Sequence, residues 1–589
     1  IAGRRGWPLT ALLTPEGQVF AGGTYFPPDD DPASGRPGPR TVLQQVVRAW
    51  RDDRVRMRRQ AQALEDALRK ANEDGTTEAA PGGNSHGLPE PTSPAAPKDL
   101  LQRLAPVLQG ALDAKAGGFV FGVVPLSADS GAGGDVPKFP TPRALDLCLA
   151  QYVRSGDTGS LAVVTATLDG MLRGGIYDHL AGGFHRCCAD RWWRLPRFEK
   201  LLIPNAELAA ACLHAWQVTG NTRYKRAVED TLACWTTLQD PSGTFFYGSQ
   251  AGGTSDLDDN DYFTWTIKEF EGVLRDDADC RLARAFYDVH EAGDLPATAP
   301  QRNVLFEALT LEDAAQRAGV PPGVAEKRLR RSREQLLLAR SRRPAPVLDR
   351  NVYVDGNALM AAAFIESGRA LGQPAHVERG VKTLRGLLKE AFPAPAESHE
   401  RDVRGTTGVP PVAESNAVHL LRSGDMNGIP PEFRIVSPDF ALAQDEAALL
   451  YACALAFEAT QQKEFADAAE AGLRRLQQSF WDKERGGYDD RVAPASKLLS
   501  GGNWRVKIWQ DTEEPAANGL VALACVRLGA ATGRKEFTDR AASIVAAFGP
   551  TLEKSGPYGA TLSCAADGVQ YGPVQMQAKT KPETRNPEP

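Results

Sequence analysis

The sequence predicts a mainly α-helical protein in which most of the chain forms a closed ring of paired helices, an α/α toroid. The first observation behind this prediction is a repeat between residues 98 and 570. A turn followed by an aromatic or apolar residue and an Ala-rich helix recurs, as in TGNTRYKRAVEDTL at 219–232, ATQQKEFADAAEAGL at 459–473 and ATGRKEFTDRAASIV at 531–545. Each copy follows an apolar helical segment, so the repeating unit is a helical hairpin.

The second observation is a glycine–aromatic loop that separates the hairpins. It reads AGGFVFG at 116–122, AGGFHR at 181–186, GTFFYG at 243–248 and GGYDD at 486–490. Open helical solenoids have short polar turns at such places. A toroid gathers the ends of its inner helices around one mouth, where glycines let the backbone and rings crowd a ligand. We therefore expect a closed ring, with these four loops at one end of it.

Length and charge limit the classes of function. The 589 residues exceed one ordinary domain but suit a large helical toroid with a small domain before it. The formal net charge is −6 and Lys and Arg form no long run, which argues against a nucleic-acid partner. Charged residues interrupt every apolar stretch well before the length needed to cross a bilayer. We expect a small-molecule ligand and no membrane partner, and the sequence makes no prediction of oligomeric state.

The N-terminal residues predict a different local structure. In GWPLTALLTPEGQVFAGGTYF at 6–26, two apolar runs flank a Pro-Glu-Gly turn, which indicates a β-hairpin. Proline cannot donate to a sheet ladder, so Pro8 needs a special role, and a cis Trp7–Pro8 bond is one possibility. A long helix is expected from about residue 41 to residue 72. The chain begins in the middle of this pattern, so we interpret it as an N-terminally truncated sequence.

Low-complexity segments divide the rest of the chain. Residues 73–97 are rich in Gly, Pro and Ser and predict a disordered linker. Residues 393–432 interrupt a helical region and predict an inserted loop. The polar, Pro-rich residues 574–589 predict a disordered tail, which leaves 98–573 for the toroid.

Nine cysteines occur with no CxxC pair and no regular spacing. Most of them fall inside apolar helical stretches, where a buried free thiol is the simplest interpretation. Such usage suits a reducing compartment, and we expect a cytoplasmic protein. No ligand set at metal-binding spacing is present, so we predict no metal and no cofactor.

Two long motifs carry a resemblance to a known family. They are GWPLTALLTPEGQVFAGGTYFP at the N-terminus and YDHLAGGFHRCCADRWWRLPRFEKLLIPNAEL at 177–208. Through them the chain resembles the family of thioredoxin-domain-plus-toroid proteins that includes the spermatogenesis-associated thioredoxin-like protein and its bacterial counterparts. The resemblance implies that residues 1–72 are the C-terminal half of a thioredoxin-like domain with Pro8 as its cis-proline. It also implies a six-hairpin (α/α)6 toroid, the type shared with sugar epimerases and glycosidases.

The second motif contains the candidate catalytic residues. His185 is the candidate acid/base, because an imidazole exchanges protons near neutral pH. Asp178 or Glu199 would orient its tautomer, and Arg186 would hold an anionic centre. A polar network that only satisfies buried groups at a helix terminus explains the same residues without chemistry.

Six further residues are candidates for substrate binding. They occur in the motif above, in VPKFP or near predicted helix starts, where packing or N-capping is the simpler explanation. The candidates are His179, Lys138, Trp193, Asn205, Asp355 and Asn357.

Two functions remain open. The first is an isomerase, epimerase or hydrolase that acts on a carbohydrate-type ligand at the toroid mouth. The second is a non-catalytic binding or redox-adapter protein of the same family. The second is suggested because Cys187, Arg197 and Pro204 stand where the resemblance leads us to expect Tyr, His and Asp, and because the loop 249–256 lacks an expected acidic cluster.

Overall fold

The computed structural model describes most of the chain. The described residues are 10–14, 18–23, 26–31, 35–74, 99–119, 137–254, 261–295, 301–391, 420–422, 442–491 and 507–576. The chain divides into two compact units, of which the first comprises residues 1–90, 121–136 and 491–506 and the second comprises the remainder.

The first unit contains the predicted hairpin. Strand β1 (Thr10–Leu13) pairs antiparallel with β2 (Val19–Gly23). The Trp7–Pro8 bond lies outside the described residues. The predicted single helix is in fact two, α1 (Pro39–Asp52) and α2 (Arg54–Asp74), because Asp53 leaves the helical conformation and its carboxylate accepts from the N–H of Arg56 at 2.9 Å. Helix α2 packs on β2, and the rings of Phe20 and Trp50 stack 6.0 Å apart.

The second unit is helical. Its helices are α3 (Leu100–Gly110), α4 (Pro142–Ser155), α5 (Thr158–Arg173), α6 (Leu202–Thr219), α7 (Thr222–Thr236), α8 (Ile267–Val273), α9 (Asp277–Tyr287), α10 (Leu311–Ala318), α11 (Pro322–Arg340), α12 (Val354–Leu371), α13 (Pro374–Ala391), α14 (Ala443–Thr460), α15 (Lys463–Ser479), α16 (Ala517–Thr532), α17 (Lys535–Leu552) and α18 (Ala560–Tyr571).

Six of these helices form a closed inner ring. Helices α4, α6, α12, α14, α16 and α18 each contact the next, and α18 contacts α4, so the ring closes. Helices α3, α5, α7, α13, α15 and α17 pack outside it. The division follows from sequence, since α6, α14 and α16 are apolar on all sides and almost wholly buried, as an inner position requires. The predicted (α/α)6 toroid is confirmed.

The connections between the helices distinguish the two ends of the ring. Five inner helices end at a residue in the left-handed conformation and pass to the outer layer through tight turns; these residues are Gly156, Gly220, Gly372, Gln461 and Gly533. The glycine–aromatic loops all follow an outer helix and lie at the opposite end. The described parts of the four loops are therefore gathered at one end, as predicted.

Each glycine–aromatic loop forms the same small bridge. The bridges join Leu112 to Phe119, Tyr177 to Phe184, Gln239 to Phe246 and Trp481 to Tyr488. Gly182 shows why glycine is needed in this loop: its φ is +77°, and a Cβ there would lie 2.4 Å from the carbonyl oxygen of Asp230.

Short strands cross the loop end of the ring. Strand β3 (Cys187–Cys188) pairs with β4 (Pro196–Arg197), and β5 (Lys200–Leu201), β6 (Ser249–Gln250) and β7 (Leu348–Asp349) form a three-stranded sheet. Strand β8 (Val352–Tyr353) pairs with β9 (Leu420–Arg422), which falls inside the predicted insertion 393–432. The other residues of that insertion lie outside the described residues, as do nearly all of those in the predicted linker and tail.

Helices α8 to α11, which lie between α7 and α12 in the sequence, form a separate helical cluster that we call the satellite. They share a core of their own that includes Trp265, Phe270, Leu282 and Tyr287. Arg340, the last residue of α11, reaches out of the satellite to the loop that contains the candidate catalytic residues.

Candidate active site

Asp178 is buried between two cationic side chains. It lies in the packed wall of the ring, at the end that carries the glycine–aromatic loops. Its carboxylate accepts two hydrogen bonds of 2.9 Å from the guanidinium of Arg340 and one of 2.7 Å from Nζ of Lys200. The backbone N–H groups of Leu180 and Ala181 also donate to it. Burial alone would raise the pKa of Asp178, but the two cations hold it well below its usual range. This carboxylate is a permanently charged structural centre.

His185 lies beside Asp178 but is sealed from solvent. Its Nδ1 lies 2.9 Å from the carbonyl oxygen of Phe198, so Nδ1 carries the proton in the neutral ring. The rings of Phe198 and Phe263 pack edge-on against the imidazole at 5.1 and 4.9 Å. Burial, with help from the charge of Lys200, lowers the pKa of His185 to about 3. In this structure the Phe198 carbonyl fixes the tautomer at Nδ1, and the predicted tautomer control by Asp178 or Glu199 stays a prediction.

Three predicted ligand-binding residues are also in the wall. Nε2 of His179 donates to the carbonyl oxygen of Gly174 at 2.9 Å, and burial lowers the pKa of His179 to about 4. Nζ of Lys138 is 3.0 Å from Oδ2 of Asp113 and sits over the ring of Trp193 at 5.0 Å. The Trp193 side chain is fully buried. Their proposed contacts with a ligand stay predictions, and in this structure all three hold the loops together.

Asn205 and Asn357 hold glycine–aromatic loops. Asn205 accepts from the N–H of Phe184 at 2.7 Å and donates to its carbonyl oxygen at 2.9 Å, while Asn357 does the same to Phe246. Asn518 repeats the arrangement with Tyr488. These three buried asparagines replace strand partners for the loop backbone.

Asp355 lies in the first turn of α12. Its carboxylate accepts from the N–H of Gly356 at 2.7 Å, and its side chain is buried. Neither this residue nor Asn357 lines the mouth described below.

Arg186 and Glu199 are placed differently, because their side chains are partly exposed. The N–H of Arg186 donates to the carbonyl oxygen of Glu199, so the two residues face each other across the β3–β4 hairpin. The Arg186 guanidinium binds Glu513 with two hydrogen bonds of 2.9 Å and reaches Glu199 at 3.3 Å. Of the four predicted catalytic residues, only this pair lies at the rim of a cavity.

The cavity is the mouth of the toroid. It has a volume of about 20 Å³ and lies where α4, α6, α16 and α18 begin. Its lining residues are Thr141, Pro142, Arg143, Ala144, Glu207, Asp511, Thr512, Glu513, Glu514, Pro515, Pro557 and Tyr558.

Glu207 and Arg143 form a buried ion pair in the lining of this mouth. Oε1 of Glu207 accepts from Nη2 of Arg143 at 2.7 Å, and Nε of Arg143 contacts the second oxygen. Burial raises the pKa of Glu207 to about 7, against the opposing charge of Arg143. Unlike Asp178, this carboxyl group has one cationic partner and borders empty space, and it changes protonation near neutral pH.

Below the mouth, ionisable side chains continue along the ring axis. Asp146 lies 3.8 Å from Arg143 and accepts from Nδ1 of His214 at 2.8 Å. Beyond His214 follow Glu366, Arg527 and Glu458, which are joined in that order by ion pairs of 3.9, 3.3 and 2.8 Å. Burial opposes protonation of His214, but Asp146 outweighs it and raises the pKa of His214.

The sequence analysis did not identify Glu207, Arg143 or His214. A signal was present, because Glu207 and His214 stand seven residues apart in a helix that is otherwise apolar. A charged group in a wholly buried helix needs a partner, so each such residue marks a polar centre in the ring. Which helix supplies the partner is a property of the closed ring.

The described residues show neither a metal-ligand cluster nor a membrane-spanning helix. They contain no group of three or more His, Cys, Asp or Glu side chains placed to hold a metal ion. None of the helices within the described ranges is long and apolar enough to span a bilayer.

Comparison with known proteins bears on both units. The family model Thioredox_DsbH, described as a protein of unknown function, DUF255, matches residues 1–69. The chain is 27% identical to spermatogenesis-associated protein 20 of Mus musculus over 572 residues, which covers 93% of the chain and 66% of the relative. The match to the Homo sapiens protein has the same extent. The resemblance found from the motifs is confirmed, and the chain spans about two thirds of the length of these relatives.

Solved structures with similar chains are more distant. A crystal structure of D-mannose isomerase is 10% identical with a TM-score of 0.47, covering 80% of this chain and 98% of that one. Cellobiose 2-epimerase from Spirochaeta thermophila is 13% identical with a TM-score of 0.30, covering 74% and 99%. A likeness at this level assigns neither a reaction nor a ligand.

Proposed function

We propose that this protein binds a carbohydrate-type ligand in the toroid mouth and that Glu207 exchanges a proton with it, as in an isomerase or epimerase. The observation that carries the proposal is a buried carboxyl group in the cavity lining with a pKa of about 7. Both protonation states of such a group are populated near neutral pH, which general acid–base catalysis requires. The hydroxyl-rich surface of a carbohydrate suits a cavity lined by carboxylates and a guanidinium.

The other mouth residues receive roles from their positions. Arg143 holds Glu207 in place and, as a fixed cation, would stabilise an enediolate-like oxyanion. Arg186 and Glu199 stand at the rim, where they would contact the outer part of a ligand. Asp511 is another buried carboxyl group of the lining, and a hydrolase variant of the proposal would need it opposite Glu207.

A binding protein without catalysis is the second candidate. The observation that favours it is that Glu207 and Arg143 already satisfy each other, so the pair is stable without a ligand. A redox role for the toroid is less well supported, since all nine cysteines are free and burial raises the pKa of Cys187 to about 11. Free thiols support the cytoplasmic location that we propose for this protein.

The test is ligand binding followed by turnover. A thermal-shift screen of the full chain against neutral hexoses, amino sugars and sugar acids should identify a stabilising ligand, since a hundredfold excess over Kd stabilises by about 2.7 kcal/mol. Glu207→Gln keeps the shape of the side chain and removes the titrating proton. It should retain binding and lower turnover of that ligand by roughly 10²–10⁴-fold.

His185→Phe is the matched comparison, because it changes an ionisable residue in the sealed wall. Turnover should survive this change in the fraction of protein that folds, as measured by near-UV circular dichroism. A loss of turnover in His185→Phe with full activity in Glu207→Gln would reverse the assignment. Binding without turnover of any stabilising sugar would favour the non-catalytic candidate.

A further inference from the structure

We infer that the mouth selects an uncharged or cationic carbohydrate and rejects sugar acids and sugar phosphates. The inference rests on the proposed function, because it names the class of ligand at the same site. It follows from the way in which Arg143, Arg186 and two helix starts around the cavity are already paired with carboxylates of this chain.

The cavity lining has an excess of acidic groups. Four carboxyl side chains, Glu207, Asp511, Glu513 and Glu514, line it together with one guanidinium, Arg143. An anionic ligand would therefore enter a space where carboxyl groups outnumber guanidinium groups by four to one.

The two arginines that could bind an anion are occupied. Arg143 is buried and paired with Glu207. The guanidinium of Arg186 is bound on two sides, by two 2.9 Å hydrogen bonds to Glu513 and by a contact of 3.3 Å to Glu199. Glu513 thus occupies the position on Arg186 that the carboxylate of a sugar acid would need.

Two of the four helix starts at the mouth, those of α16 and α18, are occupied as well. Backbone N–H groups at the start of a helix form a natural anion site. Here Asp511 accepts from the N–H of Ala516, which precedes α16, and from the N–H of Thr561 in the first turn of α18, both at 2.8 Å. Asp511 is 5% exposed, so it acts as a resident anion that closes both helix starts.

A neutral ligand meets a different surface. Hydroxyl groups donate hydrogen bonds to carboxylates without displacing their existing partners, since each carboxylate has about four acceptor positions. An ammonium group adds attraction to the excess negative charge. The order of affinity expected for matched sugars is amino sugar at or above neutral sugar, and sugar acid well below both.

The experiment compares three hexoses that differ in charge. D-glucosamine, D-glucose and D-glucuronate are titrated calorimetrically into the full chain at low salt near neutral pH. D-glucuronate should bind at least tenfold more weakly than D-glucose. Glu513→Gln releases Arg186 and should strengthen D-glucuronate binding by at least tenfold.

Glu378→Gln is the control, because it removes the same charge from an exposed position on the outer helix α13. Its affinity for D-glucuronate should equal that of the wild type. The charge selection is wrong if the wild type binds D-glucuronate as tightly as D-glucose. It is also wrong if Glu513→Gln gains no more than Glu378→Gln.

The two proposals fail in different ways. If no sugar binds the wild type but Glu513→Gln acquires D-glucuronate binding, the carbohydrate function and the preference for neutral sugars fall, and only the exclusion of anions by Glu513 stands. If D-glucose binds and is turned over but D-glucuronate is equally good, the charge selection falls and the function stands.

Discussion

The wall around Asp178 and the lining around Glu207 are two buried carboxylate centres of opposite character. Asp178 is buried and binds two cations and two backbone N–H groups. Glu207 binds one cation and borders a cavity. Their pKa values move in opposite directions for this reason, far down for Asp178 and up to about 7 for Glu207. A carboxylate whose partners are complete stabilises a fold, whereas one with spare acceptor positions and access can serve a ligand.

The largest expected effect is a loss of stability when Asp178, in the wall of the ring, is replaced. Asp178→Asn leaves the buried ammonium of Lys200 and the guanidinium of Arg340 without their counter-charge, which should cost about 3–5 kcal/mol of unfolding free energy. Urea denaturation followed by circular dichroism measures it. The control is Glu199→Gln, whose ion pair with Arg186 is partly exposed and should contribute at most about 1 kcal/mol. Equal losses in the two variants would contradict the distinction between wall and rim.

The next largest loss of stability is expected when the asparagines that hydrogen-bond the backbone of the glycine–aromatic loops, which we call clamps, are replaced. Asn205→Ala removes three hydrogen bonds and leaves the backbone of Phe184 and the carbonyl of Leu201 without these partners, at a cost of about 2–4 kcal/mol. Asn518→Ala should cost a similar amount because it clamps Tyr488 in the same way. Thermal denaturation of both variants checks this, and a negligible loss in either would show that the loop keeps its shape without the clamp.

A smaller effect concerns the pH dependence of stability. The pKa of Glu207 rises from 4.5 to about 7 on folding, so between these values the folded state binds more protons than the unfolded state. The contribution of this group to stability is therefore present below pH 4.5 and is lost as the pH rises toward 7, on a scale of about 1.4 kcal/mol per pKa unit. In Glu207→Gln this decline should disappear from urea denaturation curves recorded across the window, and an unchanged slope would contradict the shifted pKa.

The smallest effect is spectroscopic and separates two histidines. His185 should remain neutral with its proton on Nδ1 down to about pH 4, because burial lowers its pKa to about 3. His214 should still be protonated above pH 6.5, because Asp146 raises its pKa. Imidazole nitrogen shifts in NMR spectra, assigned with His185→Phe, distinguish the two. If both imidazole rings titrated near pH 6.5, the opposite pKa shifts described for His185 and His214 would be wrong.

Stability linkage has opposite signs for these two rings. For His185 the unfolded chain binds the proton more readily, so its contribution to stability is lost as the pH falls from 6.5 toward 3. For His214 the folded chain binds the proton more readily, so its contribution is present at low pH and is lost as the pH rises above 6.5.

The sequence by itself determined the architecture of the ring. Helical hairpins repeat because each apolar helix needs an amphipathic partner, and glycine–aromatic loops recur because each return to the inner layer uses the same tight bridge. The pattern predicted the hairpin β1–β2 equally well. It did not predict the break at Asp53, since one polar residue that caps the next turn leaves the helical periodicity on both sides intact.

Which charged residues border the cavity depends on how the helices pack together. Asp178 and His185 stand in the most distinctive motif, but Arg340 of the satellite and Phe263 of the segment before α8 pack against them and seal them. Glu207 looks like one polar residue in an apolar helix until Arg143 of another helix meets it at the mouth. Local sequence determines which groups are ionisable, whereas closure of the ring determines burial, distance and access, and these three quantities set the pKa and the chemistry.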